Sequence, residues 1–159
     1  MQCANCGNKT KKATFSKGYD LTTWAGLPAK ARRMRILRCS KCDAESVQAN
    51  DLEAALDALV LEVVQRRERL TGQEARFLRS RLGITQKELA KRMGINSITI
   101  SDWERGDRDI SSEHDFMLRT LSLPRLPNEW VARVLGLWAV HKEPPPKRAG
   151  ALVVADFLR

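Results

Sequence analysis

The chain has 159 residues, 43% hydrophobic and 30% charged, which suits one ordinary domain or two small ones and excludes disorder throughout. No apolar run approaches the roughly 18 residues that span a bilayer, and the opening MQCANCGNKTKK has no apolar signal core, so a soluble, cytoplasmic protein without a membrane partner is expected. The net charge of +9 favours a polyanionic partner such as nucleic acid, although a basic surface kept for solubility gives the same number.

All four cysteines fall in the first 42 residues, as CANC (Cys3, Cys6) and CSKC (Cys39, Cys42). Two thiolates from one tight turn can grip a single tetrahedral ion, and two such turns complete its shell. Gly7 follows the first pair, where a knuckle turn needs a positive φ. A disulfide pair fits poorly without a secretion signal, and a redox motif would leave the second pair unexplained. The spacing therefore points to a structural Zn²⁺, with a rubredoxin-like iron site as the alternative. With four protein ligands no coordination position stays open for catalysis. The insert between the pairs carries Gly18, Gly26 and Pro28 as breaks, and RRMRILRC reads as a strand entering the second knuckle. Phe15, Tyr19 and Trp24 interleave with Lys11, Lys12 and Lys17, either as a binding face or as the core of a small ribbon. Residues 1–50 hold ten Lys/Arg against three Asp/Glu.

NDLEAALDALVLEVVQRRERL places Leu52, Leu56, Leu59, Val63 and Leu70 at helical steps, with Asn50 and Glu53 as an N-cap pair. Two capping boxes follow. TGQE (Thr71, Glu74) opens a helix that stops at Gly83, and TQKE (Thr85, Glu88) opens one that stops at Gly94. Asn96 caps a third helix, Ser97–Arg105, ended by Gly106, and SSEHDFMLRTL reads as a fourth. Short helix, Gly turn, short helix is the helix-turn-helix pattern. On a wheel of 100° per residue, Ile100, Trp103 and Glu104 lie on the core side of the third helix. Ser97, Ile98, Ser101, Asp102 and Arg105 lie on the opposite side, where base readout takes place. The two acids of SDWERG are thereby separated: Glu104 borders the core and Asp102 faces out.

LRSRLGITQKELAKRMGINSITISDWERG resembles an Xre-type (Cro/repressor-like) helix-turn-helix, and a four-Cys ribbon ahead of it resembles the MqsA/YgiT-type antitoxin and regulator family. The resemblance covers roughly residues 1–122. It implies a mainly α fold: an Xre-type bundle with a small N-terminal β domain, the zinc ribbon. It also implies a dimeric repressor of double-stranded DNA and, in true antitoxins, a toxin protein bound by the N-terminal domain. Carried over by position, Gln86 opens the positioning helix and touches a phosphate or base edge. Ser97, Ile98 and Asp102 take base-reading positions, Arg105 a backbone-contact position, and Arg79 with Glu104 the buried ion pair of such modules. Where those antitoxins place Asn and Arg, this chain has Ile98 and Asp102, so a different DNA site is implied. A carboxylate can accept from cytosine N4, and an isoleucine can meet a thymine methyl.

The expected division is a zinc ribbon over 1–49, a linker helix over 50–70, the helix-turn-helix domain over 71–122, and a C-terminal helix and tail over 123–159. In the last part NEWVARVLGLWAVHK reads as an amphipathic helix capped by Asn128, with Trp130, Val134, Leu137 and Trp138 on its apolar side. EPPPKRAG reads as a linker, and ALVVADFLR as a short apolar segment belonging to a dimer strand, a partner-binding segment or the core. The two histidines, His114 and His141, sit in no nucleophilic constellation, and no phosphate-cradling Gly-rich loop occurs, so no enzymatic activity is expected. Two readings compete: a sequence-specific DNA-binding regulator, and an antitoxin whose main partner is a protein.

Overall fold

The computed structural model describes residues 2–140 and 152–154 and, within them, the side chains of all but 10–17, 137–140 and 152–154. The EPPPKRAG stretch, His141 and the side chains of Phe15, Leu137 and Trp138 lie outside what is described.

The insert between the cysteine pairs is one long antiparallel hairpin, β1 (Thr10–Asp20) and β2 (Ala29–Cys39), with a single helical turn, α1 (Thr22–Ala25), at its tip. Gly26 ends that turn with φ +69. The short β3 (Glu45–Val47) pairs with the end of β2 near the second knuckle. At the other end, β4 (Leu152–Val154) joins β2 in parallel, opposite Ala29–Ala31. The apolar C-terminal segment thus adds a strand to the N-terminal sheet.

The rest is helical: α2 (Ala49–Gln65), α3 (Gly72–Leu82), α4 (Gln86–Met93), α5 (Ser97–Arg105), α6 (Ser112–Ser122) and α7 (Asn128–Val140), with a 3-10 turn at Leu123–Arg125. The protein is mainly α with a small N-terminal sheet that carries the four cysteines. No helix among the described residues is long and apolar enough to cross a membrane.

Helix α2 begins and ends differently from the sequence expectation. Its N-cap is Gln48, without a side-chain cap, rather than Asn50. Asp51 in the first turn takes both N–H groups of one edge of the Arg35 guanidinium (2.8 and 2.9 Å), and Glu53 takes Arg81 (2.8 Å). These two acids meet arginines distant in sequence, so no local cap could reveal their role. The helix stops at Gln65, and Leu70 is buried beyond it. Ala55, Leu56, Ala58, Leu59, Val60, Val63 and Val64 are all buried, an arc wider than one surface stripe. The reason is that α2 meets β2 and β4 as well as α3, α6 and α7. One continuous apolar cluster runs from Leu21 and Met34 in the hairpin through Leu59 and Val63 to Leu78, Leu89, Ile100, Leu118 and Val134.

Both capping boxes form. Thr71 Oγ1 accepts from the Glu74 N–H and Thr85 Oγ1 from the Glu88 N–H, while each glutamate accepts from its threonine's backbone N–H (2.9 and 2.7 Å). At α7 the cap lies one residue earlier than expected: the Pro127 carbonyl accepts from the Trp130 and Val131 N–H groups.

Candidate functional sites: a cysteine cluster and a helix-turn-helix

The hairpin's two ends bring the cysteine pairs together. The four sulfurs all lie within 4.8 Å of one another, with Cys3 and Cys42 at 3.7 Å and Cys6 and Cys39 at 3.5 Å. Zn–S bonds of about 2.3 Å in a tetrahedron give sulfur separations of about 3.8 Å, so the cluster has the size for one ion. The two turns are near copies. In the first, Cys3 N–H donates to Asn8 O (2.7 Å); in the second, Cys39 N–H donates to Ala44 O (3.0 Å). The residue after each second cysteine has a positive φ: Gly7 at 71° and Asp43 at 53°. The glycine announces this turn; an aspartate tolerates it less readily.

Backbone N–H groups point at sulfur as well. Those of Lys41 and Cys42 lower the Cys39 thiol to about 6, and that of Ala44 lowers Cys42. The Asn8 backbone lowers Cys6, but its neighbours, led by Cys42, outweigh that and raise it to about 11. Crowded sulfurs that share protons in this way give them up when a cation binds. The four cysteines can hold a metal ion.

The second site is built on α5. Ile100 and Trp103 are buried, and the Trp103 ring lies 5.2 Å from that of His114, which is therefore packed against the core rather than free on the surface. Helix α3 approaches α5 so closely that a Cβ on Gly72 would stand 1.9 Å from the Trp103 carbonyl oxygen.

Glu104 is only 6% exposed in its side chain, and Arg79 15%. Arg79 Nε and Nη2 donate to the two Glu104 oxygens (2.6 and 3.0 Å), and Arg79 Nη1 donates to the Ile84 carbonyl (2.9 Å). Gln86 Nε2 donates to Glu104 Oε2 (2.9 Å). The Gln86 amide nitrogen is thus bound to Glu104 within the protein. Burial pushes the Glu104 carboxyl up, but the bonds from Arg79 and Gln86 prevail and hold it below the ordinary carboxylate value.

On the opposite side of α5, Ile98 is 65% exposed, and Ser97, Ser101 and Asp102 are half-buried. Arg105 is gripped three ways: Nη2 donates to Asp102 Oδ1, Nε to Asp107 Oδ2 and Nη1 to Ser101 Oγ, each at 2.6 Å. Asp107 is the leading cause of the raised Arg105 value. Arg76 of α3 and Lys87, Lys91 and Arg92 of α4 are exposed.

Sequence reasoning missed Arg119. Its guanidinium is buried, pairs with Asp115 (2.8 Å), and donates to the carbonyls of Val63, Val64, Arg66 and Glu68. Asp115 in turn accepts from the Leu70 N–H (2.7 Å). The one available signal was the i, i+4 spacing of Asp115 and Arg119, which also describes countless exposed helix pairs.

No curated protein and no solved structure matches the chain. Among protein families, the helix-turn-helix family HTH_3 matches residues 76–114, the span from α3 into the start of α6.

Proposed function

We propose that this chain is a sequence-specific DNA-binding transcriptional regulator, acting as a repressor, with a structural Zn²⁺ held by Cys3, Cys6, Cys39 and Cys42. The observation that carries the reading is the division of α5 within the matched helix-turn-helix. Its inner side is anchored by Ile100, Trp103 and the Arg79–Glu104 pair, while Ser97, Ile98, Ser101 and Asp102 are offered outward. A rigid helix with a polar and methyl-bearing outer face is what major-groove readout requires.

In this reading Asp102 accepts from a cytosine amino group, Ile98 meets a thymine methyl, and Gln86 supports the pose through Glu104. Arg105 and the exposed lysines and arginines of α3 and α4 serve the phosphates. The zinc holds the two knuckles together and leaves no position for substrate. The chain acts as a homodimer on two half-sites, a reading supported by the exposed Phe116, Met117 and Leu135 of α6 and α7. The ribbon of residues 1–49, the helix of 50–70, the DNA-reading unit of 71–122 and the tail of 123–159 remain the working division.

Selection of bound duplexes from a random pool tests the function. Enrichment of one motif supports it; retention of every sequence alike, or of none, overturns it. Elemental analysis of protein purified without chelator tests the metal: one zinc per chain is expected, and either iron or no metal rejects the assignment.

A further inference from the structure

Helix α2 leaves directly from the cysteine end of the sheet. Strand β2 ends at Cys39, β3 ends at Val47, and α2 begins at Ala49. The Arg38–Glu45 pair (2.6 Å) closes the second knuckle across the β2–β3 ladder. The first N–H groups of a helix have no partner inside it, and at α2 the N-cap Gln48 offers them no side chain. Arg35 of β2, four residues before Cys39, holds this turn instead. Its Nη2 donates to Gln48 Oε1 (3.2 Å), and its Nε and Nη2 donate to the two Asp51 oxygens (2.8 and 2.9 Å). The order of the turn thus depends on the position of β2.

The same turns of α2 hold α3. Glu53 and Asp57 both accept from Arg81 Nη2 (2.8 and 2.7 Å). The Arg81 side chain is only 13% exposed, and its buried Nε has no hydrogen-bond partner among the described residues. Without the two acids of α2 this cation would be stranded in the protein. Arg79, in the same last turn of α3, holds Glu104 of α5 (2.6 Å). Three joints between guanidinium and carboxylate therefore run from the cysteine end of the sheet to the inner side of α5: Arg35 with Asp51, Arg81 with Glu53 and Asp57, and Arg79 with Glu104.

We infer that the first turns of α2 couple the metal to the DNA: ordered when the four cysteines hold their ion and frayed when they do not, they set the position of α3 and, through it, of α5. The inference rests on the proposed DNA-binding function and its zinc site, and it makes the ion an effector as well as a brace. The element with two states is the uncapped turn, and the ion biases it by fixing Cys39 and Cys42 against Cys3 and Cys6. The protein then releases its DNA when zinc is withdrawn.

The test uses the full chain under reducing conditions, below the melting midpoint of its zinc-free form. Two variants cut the joints without touching the cysteines or the outward side of α5. Asp51→Asn weakens the joint to the sheet, and Arg81→Met removes the joint to α3 while leaving only the exposed Glu53 and half-buried Asp57 without a cation. Affinity for the selected duplex is measured with and without zinc. In wild type zinc should strengthen it by a factor in the range of about 5–150. Competition with a chromophoric chelator should show the duplex tightening zinc by the same factor, because linkage between binding sites is reciprocal. Both variants should bring the factor close to one. A joint that only stabilised the fold would lower the melting temperature of both forms and leave the factor as it was. A factor of one in wild type, or one that keeps its wild-type size in either variant, overturns this inference alone. Zinc-loaded wild type that binds no duplex even at low salt overturns the DNA-binding reading itself.

Discussion

At the scale of single residues, the two acids of SDWERG differ because Glu104 is buried with Arg79, whereas Asp102 is half-buried and pairs with the exposed Arg105. Glu104 accepts three hydrogen bonds, two from Arg79 and one from Gln86. Removing one partner of a buried pair strands the other charge, at a cost of about 3–5 kcal/mol. Glu104→Ala should therefore destabilise far more than Asp102→Ala, and denaturant melts of the two variants measure the difference. The Glu104 carboxyl is held below its ordinary value in the fold. Its stabilisation is thus complete above the unfolded glutamate value of about 4.3 and disappears as pH falls through the lower folded value. Asp102→Ala should act on selectivity instead, relaxing preference at one base pair by about 1–3 kcal/mol. Paired titrations on selected and random duplex read this, and an unchanged ratio would make Asp102 only a brace for Arg105. Gly72 is a further residue whose worth lies in what it lacks. A methyl there meets the Trp103 carbonyl, so Gly72→Ala must push α3 off α5. Overpacking of this kind costs about 1–3 kcal/mol or more, and a melting temperature unaltered by Gly72→Ala would contradict the close approach.

At the scale of elements, Arg119 joins pieces that the sequence presents as separate. The last carbonyls of a helix have no partner within it. Those of Val63 and Val64 at the end of α2, and of Arg66 and Glu68 after it, all receive the Arg119 fork from α6. The Leu70 N–H completes the joint through Asp115. Arg119→Ala leaves a buried aspartate without its cation and takes the guanidinium away from four carbonyls, so a loss of about 3–5 kcal/mol is expected. Arg119→Lys should restore only a minor part of it, because an ammonium lacks the planar fork that reaches several acceptors at once. Chemical denaturation of both variants decides; full rescue by lysine would show that charge alone matters. Helix boundaries over 71–122 were legible because the capping boxes and glycines act within one turn of the chain. The start of α2 was not, since Asp51 and Glu53 are committed to Arg35 and Arg81 across the fold.

At the scale of the whole molecule, the hairpin that joins the two cysteine pairs and the helix-turn-helix share one apolar cluster, with α2 between them. Loss of the metal should then weaken the entire chain and not the first fifty residues alone. Chelation is expected to lower a single cooperative melting transition; two separate transitions, with the helical one unmoved, would show that the sheet folds by itself. The sequence by itself determined what depends on near neighbours: paired C-x-x-C turns, the caps and breaks of three short helices, and the wheel that separates Glu104 from Asp102. Each follows from backbone geometry repeating every few residues, so a short window contains the whole cause. Only the tertiary structure decided that Gln86 turns to Glu104, that Arg119 clamps α2, that Asp107 shares Arg105, and that Leu152–Val154 joins β2. These depend on side chains or strands brought together from tens of residues apart. A charged residue's type says that it needs a partner, while packing alone says which one it meets.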